Sequence, residues 1–148
     1  MSDRCFVDTN ILVYAHDHSA GLKHQRARLL LEDLWNSGGG VLSTQVLQEL
    51  CINVRRRSGH PLSAEETRRL LQDYLIWEIV VNTPASVVQA LDLEVRYKIS
   101  FWDALILHAA ESSGAAILYS ENFSASQRYG SIRVVNPLAD SFASHSNS

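Results

Sequence analysis

The feature that most constrains this chain is a short apolar strand that ends in an acid, Cys5-Phe6-Val7-Asp8. A carboxylate is costly inside a buried strand, because burial disfavours its charged form. At the carboxyl end of a strand the cost is smaller, because in an open α/β sheet this end borders the crevice where ligands bind. Asp8 is therefore predicted to lie at a site, although capping of the following helix explains its position equally well.

Apolar, strand-like segments alternate with segments of helical periodicity along the 148 residues. The predicted strands are residues 4–8, 41–43, 77–81, 115–119 and 132–135. This alternation predicts an α/β fold, a three-layer α/β/α sandwich around a small, mainly parallel sheet of about five strands. We expect a single domain over residues 1–138 and a short polar tail over residues 139–148.

Local signals predict where helices begin and which sides they bury. Ser63 and Glu66 have capping-box spacing, and Thr83-Pro84 is a typical helix start. Ser100 precedes a helix that is apolar nearly all round and should be buried. In the helix after Pro84, the periodicity predicts a core-facing side made of Val87, Val88, Leu91 and Val95.

The charge of the chain limits the kinds of molecule that the protein is expected to bind. A net charge of -3 and a pI near 6.0 argue against a protein held to nucleic acid by global charge. They do not exclude a nuclease, which needs acids at its centre and basic residues only around them. The one dense basic patch is either a solvated helix face or a phosphate-binding surface. It consists of Arg55, Arg56, Arg57, Arg68 and Arg69.

The sequence also indicates where in the cell the protein is expected. No apolar stretch approaches membrane-spanning length, and the N-terminus lacks the pattern of a signal peptide. We therefore expect a cytoplasmic protein with no membrane partner. Cys5 and Cys51 lack metal-site spacing and are predicted to be buried free thiols.

Three more polar segments are candidates for the same site as Asp8. Glu49 lies in the helix after the second strand, Asp103 follows Ser100 near a helix start, and Glu121-Asn122 follows the fourth strand. Taken singly, each has an ordinary explanation: a solvated glutamate, a capping box and a polar loop. Together they are expected to converge on one edge of the sheet. Carboxylates crowded there repel one another unless a cation intervenes, and oxygen ligands favour Mg²⁺ or Mn²⁺ over zinc.

Four ordered segments, with a closing fifth, resemble the PIN-domain family, and within it the VapC-like toxins of type II toxin–antitoxin pairs. The segments are Phe6–Leu12, Leu42–Leu50, Ser100–Ile106, Leu118–Asn122 and Arg133–Pro137. The resemblance runs from about residue 4 to residue 138 and so covers nearly the whole chain.

The resemblance implies a metal-dependent ribonuclease that uses Mg²⁺ or Mn²⁺, a cognate antitoxin protein and a homodimer. The family's three core acids match Asp8, Glu49 and Asp103. The positions that support the site match Thr9, Asn10 and Ser43. Trp35, Tyr74 and Trp77 are candidates for the antitoxin-binding surface, and each could equally belong to the core.

The sequence departs from the family in the loop after the fourth strand. Many relatives carry an aspartate where this chain has Asn122, and a second acid where it has Ala125. Glu121 could compensate, so Glu121 and Asn122 join the expected metal ligands. A PIN-like module that binds RNA or a protein without cutting is therefore the alternative function. A phosphatase built on Asp8 is disfavoured, because it needs an acid where Asn10 stands.

Overall fold

The structure is a computed structural model that describes residues 3–56, 59–124 and 127–139. Its strands are β1 (Cys5–Val7), β2 (Gly40–Ser43), β3 (Glu78–Val80), β4 (Ile117–Tyr119), β5 (Arg128–Tyr129) and β6 (Ile132–Val135). Its helices are α1 (Thr9–Ala15), α2 (Leu22–Ser37), α3 (Thr44–Arg56), α4 (Ala64–Tyr74), α5 (Pro84–Tyr97) and α6 (Phe101–Ser112), with a short 3-10 turn at His18–Ala20. Arg57, Ala125 and the predicted tail from residue 140 onward lie outside the described residues.

The strands form one sheet in the order β3-β2-β1-β4-β6-β5, parallel except for the last pair. Helices flank the sheet, so the predicted three-layer α/β/α fold is confirmed. The sheet has one strand more than expected because β5, with two residues, is too short to show a pattern. A tight turn at Gly130, whose φ is 61°, joins β5 to β6, and glycine suits this left-handed conformation.

The centre of the sheet is a topological switch point between β1 and β4. From β1 the chain moves to β2 and β3 on one side, whereas β6 and β5 follow β4 on the other. Val7 pairs with Tyr119, so the residues that follow these two strands lie side by side. Ligands bind outside such a reversal in open α/β sheets.

The core consists of the sheet and the inner faces of the helices. Phe6, Val7, Ile11 and Leu12 are fully buried, and α6 buries half of its residues, in line with the apolar pattern of its sequence. The capping box of Ser63 and Glu66 is confirmed. Of the two cysteines, Cys5 is buried but Cys51 is only partly buried, and both are free thiols.

The prediction for the buried side of α5 was wrong. Val87, Val88, Leu91 and Val95 are 48, 65, 53 and 72% exposed. The helix instead turns Ser86, Ala90 and Leu93 inward. Small residues such as Ala90 let α5 approach its neighbour α6 closely, so packing overrides the valine pattern.

Among the aromatic residues suggested for partner binding, Tyr74 and Trp77 are buried in the core, and Trp35, which is 36% exposed, packs against both. Within the described part of the chain, no helix has the length and apolar character needed to cross a membrane.

Candidate functional site

Asp8 lies at the switch point, directly after β1, and the residue is 3% exposed. One oxygen, Oδ1, accepts a hydrogen bond from the Thr9 amide at 2.7 Å, which also caps α1. The other, Oδ2, accepts one from the Ser120 hydroxyl at 2.7 Å. Ser120 follows β4, so the bond crosses the point where the two strands end. The helix-cap interpretation of Asp8 is therefore confirmed, and the same side chain lies at the switch point.

The pKa of Asp8 is raised from 3.8 to about 6, mainly by burial. Within this net shift, the bonds from Ser120 and Thr9 lower the pKa, and the negative charges of Glu49 and Asp103 raise it. The negative charges of Glu49 and Asp103 thus disfavour the ionised form of Asp8.

Glu49 approaches from α3 and is tied to α1. Its Oε1 accepts a hydrogen bond of 2.6 Å from the Thr9 hydroxyl. Thr9 therefore links two of the acids, because its amide binds Asp8 and its hydroxyl binds Glu49. On the other side, the amide nitrogen of Gln45 lies 3.4 Å from Glu49 Oε2.

Asp103 lies in the first turn of α6 and is half-buried. The Ser100 hydroxyl accepts a bond of 3.1 Å from the Asp103 amide, which forms half of the predicted capping box. Burial raises the pKa of the Asp103 carboxyl, a hydrogen bond between this side chain and Ser100 lowers it, and the charge of Glu49 raises it. Gln45 connects the elements here as well, because its amide nitrogen lies 3.2 Å from the Trp102 carbonyl oxygen.

A cleft of about 450 Å³ opens beside these groups. It is lined by Asp8, Thr9, Asn10, Val13, Tyr14, Asp17, Glu49, Asn53, Glu121 and Asn122. Asp103 does not line this cleft, but its negative charge acts on Asp8. Neither polar atom of the buried Asn10 amide has a hydrogen-bond partner among the described residues. The cleft thus has an acidic wall and an unpaired amide.

Glu121 is held by two side chains that the sequence did not single out. The Tyr14 hydroxyl donates to Glu121 Oε1 at 2.8 Å, and the ammonium of Lys23 lies 3.2 Å from Oε2. Asn122 lines the cleft, and its backbone amide donates to the Ser120 hydroxyl at 3.0 Å.

Ser43 and the arginines lie elsewhere. Ser43 is fully buried, and its hydroxyl accepts a bond of 3.3 Å from the Val46 amide, so it caps α3. Arg55 and Arg68 line a separate cavity of about 250 Å³ between α3 and α4. Arg55 is six residues beyond Glu49 on α3, which is about 9 Å along the helix axis. Arg56 and Arg69 are exposed on the same two helices.

The metal-binding potential of the site lies in its donor chemistry. Among residues 3–56, 59–124 and 127–139, no group of three or more His, Cys, Asp or Glu side chains has the spacing to hold a metal ion. The carboxylate and amide oxygens are nevertheless the donors that hard cations prefer. The mutual effect of the three acids on Asp8 is of the kind that a cation relieves.

Sequence reasoning missed Ser120, Gln45, Tyr14 and Lys23 as parts of the site. For Ser120 a signal existed, because it stands between a buried strand and Glu121, at the same kind of strand end as Asp8. For Gln45, Tyr14 and Lys23 there was none, because their roles depend on contacts between α1, α2, α3 and α6.

Comparison with known proteins identifies the family and the fold. The sequence model of the PIN domain matches residues 5–128. Among solved structures, VapC20 of Mycobacterium tuberculosis, a sarcin–ricin loop cleaving toxin, is 24% identical with a TM-score of 0.61, covering 81% of this chain and 89% of that one.

Two further structures are similar. A toxin–antitoxin complex from Klebsiella pneumoniae contains a chain 19% identical, with a TM-score of 0.64 and coverage of 90% of this chain and 97% of that one. VapBC2 from Rickettsia felis, bound to a fragment of its promoter DNA, contains one 22% identical, with a TM-score of 0.60 and coverage of 88% and 96%. No curated protein matches the sequence significantly. At these identities the structural likeness shows the fold.

Proposed function

Because this chain belongs to the PIN-domain family, we propose that it is a metal-dependent ribonuclease that hydrolyses RNA phosphodiester bonds and acts as the toxin of a toxin–antitoxin pair. The observation that carries this proposal is the electrostatic coupling of three acids from three elements. Asp8 follows β1, Glu49 comes from α3 and Asp103 from α6, and the charges of the latter two raise the pKa of the first.

We infer metal binding from the carboxylate and amide oxygens that these residues supply. Asp8, Glu49 and Asp103 would hold Mg²⁺ or Mn²⁺, with Glu121 and Asn122 as further candidate ligands on the cleft wall. The unpaired amide of Asn10 offers another oxygen in the same cleft. When bound, such an ion lowers the pKa of a water ligand and offsets the charge on the scissile phosphate.

The chain's own residues would orient the acids. Ser120 and the Thr9 amide fix both oxygens of Asp8, so that its carboxylate cannot rotate freely. The Thr9 hydroxyl fixes Glu49 Oε1 in the same way. Water is the attacking group, so the site requires no serine or cysteine nucleophile. Arg55, Arg56, Arg68 and Arg69 are proposed to guide the RNA outside the cleft, and the same role is proposed for Arg57, which is not among the described residues.

A cleavage assay on a mixed RNA pool tests the activity, with Mg²⁺, Mn²⁺ and EDTA in parallel. The wild type should cut with either metal and not with EDTA, and Asp103→Asn should lose at least about a hundredfold in rate. Asp92→Asn is the matched control, because Asp92 is an exposed aspartate on α5. Equal rates for Asp103→Asn and the wild type would contradict the site assignment.

The alternative is a PIN-like module that binds RNA or a protein without cutting. Two observations favour it: Asn122 stands where an acid is expected, and both Glu121 oxygens are engaged by Tyr14 and Lys23. RNA binding without cleavage under any metal condition would select this alternative.

The proposed partners are a cognate antitoxin and a second copy of the chain. The Klebsiella pneumoniae and Rickettsia felis proteins are complexes of this kind, which supports the antitoxin. The four exposed apolar residues of α5 support a homodimer, because contiguous exposed apolar area marks interaction surfaces. Expressing the chain with the adjacent reading frame and purifying the two together tests the antitoxin.

A further inference from the structure

Lys23, in the first turn of α2, is part of a polar cluster beside the acidic cleft. Its ammonium nitrogen lies 3.2 Å from Glu121 Oε2 and 3.5 Å from the Tyr14 hydroxyl oxygen. It also lies 4.9 Å from the centre of the Tyr14 ring. The Tyr14 hydroxyl closes the triangle by donating to Glu121 Oε1 at 2.8 Å. We call Tyr14, Lys23 and Glu121 the rim cluster.

The rim cluster connects the cleft with solvent. Tyr14 and Glu121 line the cleft, whereas 49% of the Lys23 side chain is exposed. An ammonium group has three N–H donors, and the contacts with Glu121 and Tyr14 use two of them. The third N–H is left for a first contact with an incoming acceptor, before any exchange of partners.

Lys23 is important because the cleft beside it is acidic. Of the described residues, those that line the cleft include the acids Asp8, Asp17, Glu49 and Glu121 and no lysine or arginine. A polyanion that enters meets carboxylates first, and Arg55 and Arg68 line a different cavity. Lys23 is a cation in direct contact with the cleft wall.

The contact with Glu121 is suited to exchange. A partly exposed ion pair contributes little to folding stability, because solvent screens it. A phosphate oxygen can replace a carboxylate oxygen on the ammonium group, since both are charged acceptors of similar geometry. Until that happens, Glu121 and Tyr14 keep the lysine at the mouth of the cleft.

We propose that the rim cluster is the subsite for an RNA phosphate adjacent to the scissile one, with Lys23 as the binding cation and Glu121 as the group that competes with the phosphate. The proposal rests on the proposed function, because it places the RNA path in the same cleft. It predicts opposite effects for the two members of one ion pair: loss of Lys23 weakens RNA binding, and loss of the Glu121 charge strengthens it.

The test measures binding without cleavage, as the anisotropy of a short fluorescein-labelled single-stranded RNA of mixed sequence in EDTA. Lys23→Met should weaken binding about three- to tenfold and flatten the dependence of log affinity on log salt by about 0.7, the loss of one phosphate contact. Glu121→Gln should tighten binding about two- to threefold. Lys23→Arg should retain wild-type affinity.

Arg28→Met is the matched control, because Arg28 is an exposed cation on the same helix, paired with Glu32. It should leave affinity and salt dependence unchanged. The proposal is overturned if Lys23→Met behaves like this control, if Glu121→Gln weakens binding, or if the wild type does not bind the RNA. A purely structural ion pair would lower the melting temperature in both variants without opposite changes in affinity.

Failure of the proposed function gives a different result. If the RNA binds through Lys23 but is never cut with Mg²⁺ or Mn²⁺, the subsite stands and the ribonuclease activity does not. If RNA is cut, Lys23→Met should raise KM and leave kcat within about twofold, because the contact is formed before and during the reaction.

Discussion

A buried carboxylate such as Asp8 costs free energy in the folded protein, and this cost depends on pH. Its pKa in the folded protein, about 6, lies above the ordinary value of 3.8. Between these values the folded state binds a proton that the unfolded state does not, so stability in EDTA should rise as pH falls from 7 towards 4. The difference between the two pKa values corresponds to about 3 kcal/mol of folding stability lost at pH 7.

Asp8→Asn removes this cost, and its amide can still bond to the Ser120 hydroxyl. Without metal, the variant should be more stable than the wild type at pH 7, with a gap that closes as pH falls. Urea unfolding at pH 7, 6 and 5 measures the gap. A variant that is less stable at every pH would show that Asp8 is mainly a helix cap.

Asn122 offers a second test at the scale of one residue. An amide oxygen can bind Mg²⁺ but brings no negative charge to the cleft. Asn122→Asp should therefore tighten metal binding and raise cleavage at limiting metal, with little change at saturation. Calorimetric titration with Mn²⁺ checks this, and Asn36→Asp, at an exposed position near the end of α2, is the control. Unchanged affinity would exclude the loop after β4 from the site.

Between elements, Gln45 links α3 to the start of α6. Its side chain is 4% exposed, and both neighbours of its amide nitrogen, Glu49 Oε2 and the Trp102 carbonyl, are acceptors. Gln45→Met keeps the approximate size but removes the donor that these two acceptors share, and a lost hydrogen bond costs about 0.5–1.5 kcal/mol. Melting temperature and Mn²⁺ affinity should both fall. Gln48→Met, at an exposed position of α3, should change neither, and equal behaviour of the two variants would refute the linking role.

Elements with strong local signals were predictable from the sequence. The capping box at Ser63, the start of α5 at Thr83-Pro84 and the buried α6 all follow from nearby residues. The positions of Asp8 after β1 and of Asp103 in the first turn of α6 were predictable because a strand end and a helix start fix where each side chain emerges.

The rest depends on contacts between elements. Packing against α6 determines which side of α5 faces the core, whereas the valine pattern alone predicts the opposite side. The partners of Glu121 come from α1 and α2, which lie about a hundred residues earlier in the chain. No local pattern encodes such pairings.

At the scale of the whole molecule, the exposed apolar side of α5 predicts that the chain forms a homodimer. Leu91→Gln combined with Val95→Gln should convert a dimer to a monomer in light scattering, because both residues are more than half exposed in the single chain. The melting temperature extrapolated to low concentration should not change. Asp92→Gln is the control on the same helix. A double variant that remains dimeric would exclude this face as the interface.

The central claim is that Asp8, Glu49 and Asp103 form one divalent-cation site. The most direct test is the melting temperature with and without Mn²⁺, because a ligand that binds only the folded state stabilises it, by about 2.7 kcal/mol at a hundred times its Kd. The wild type and Asp92→Asn should gain several degrees, whereas Asp8→Asn, Glu49→Gln and Asp103→Asn should each lose that gain. A gain retained in all three acid variants, or absent from the wild type, would contradict the claim.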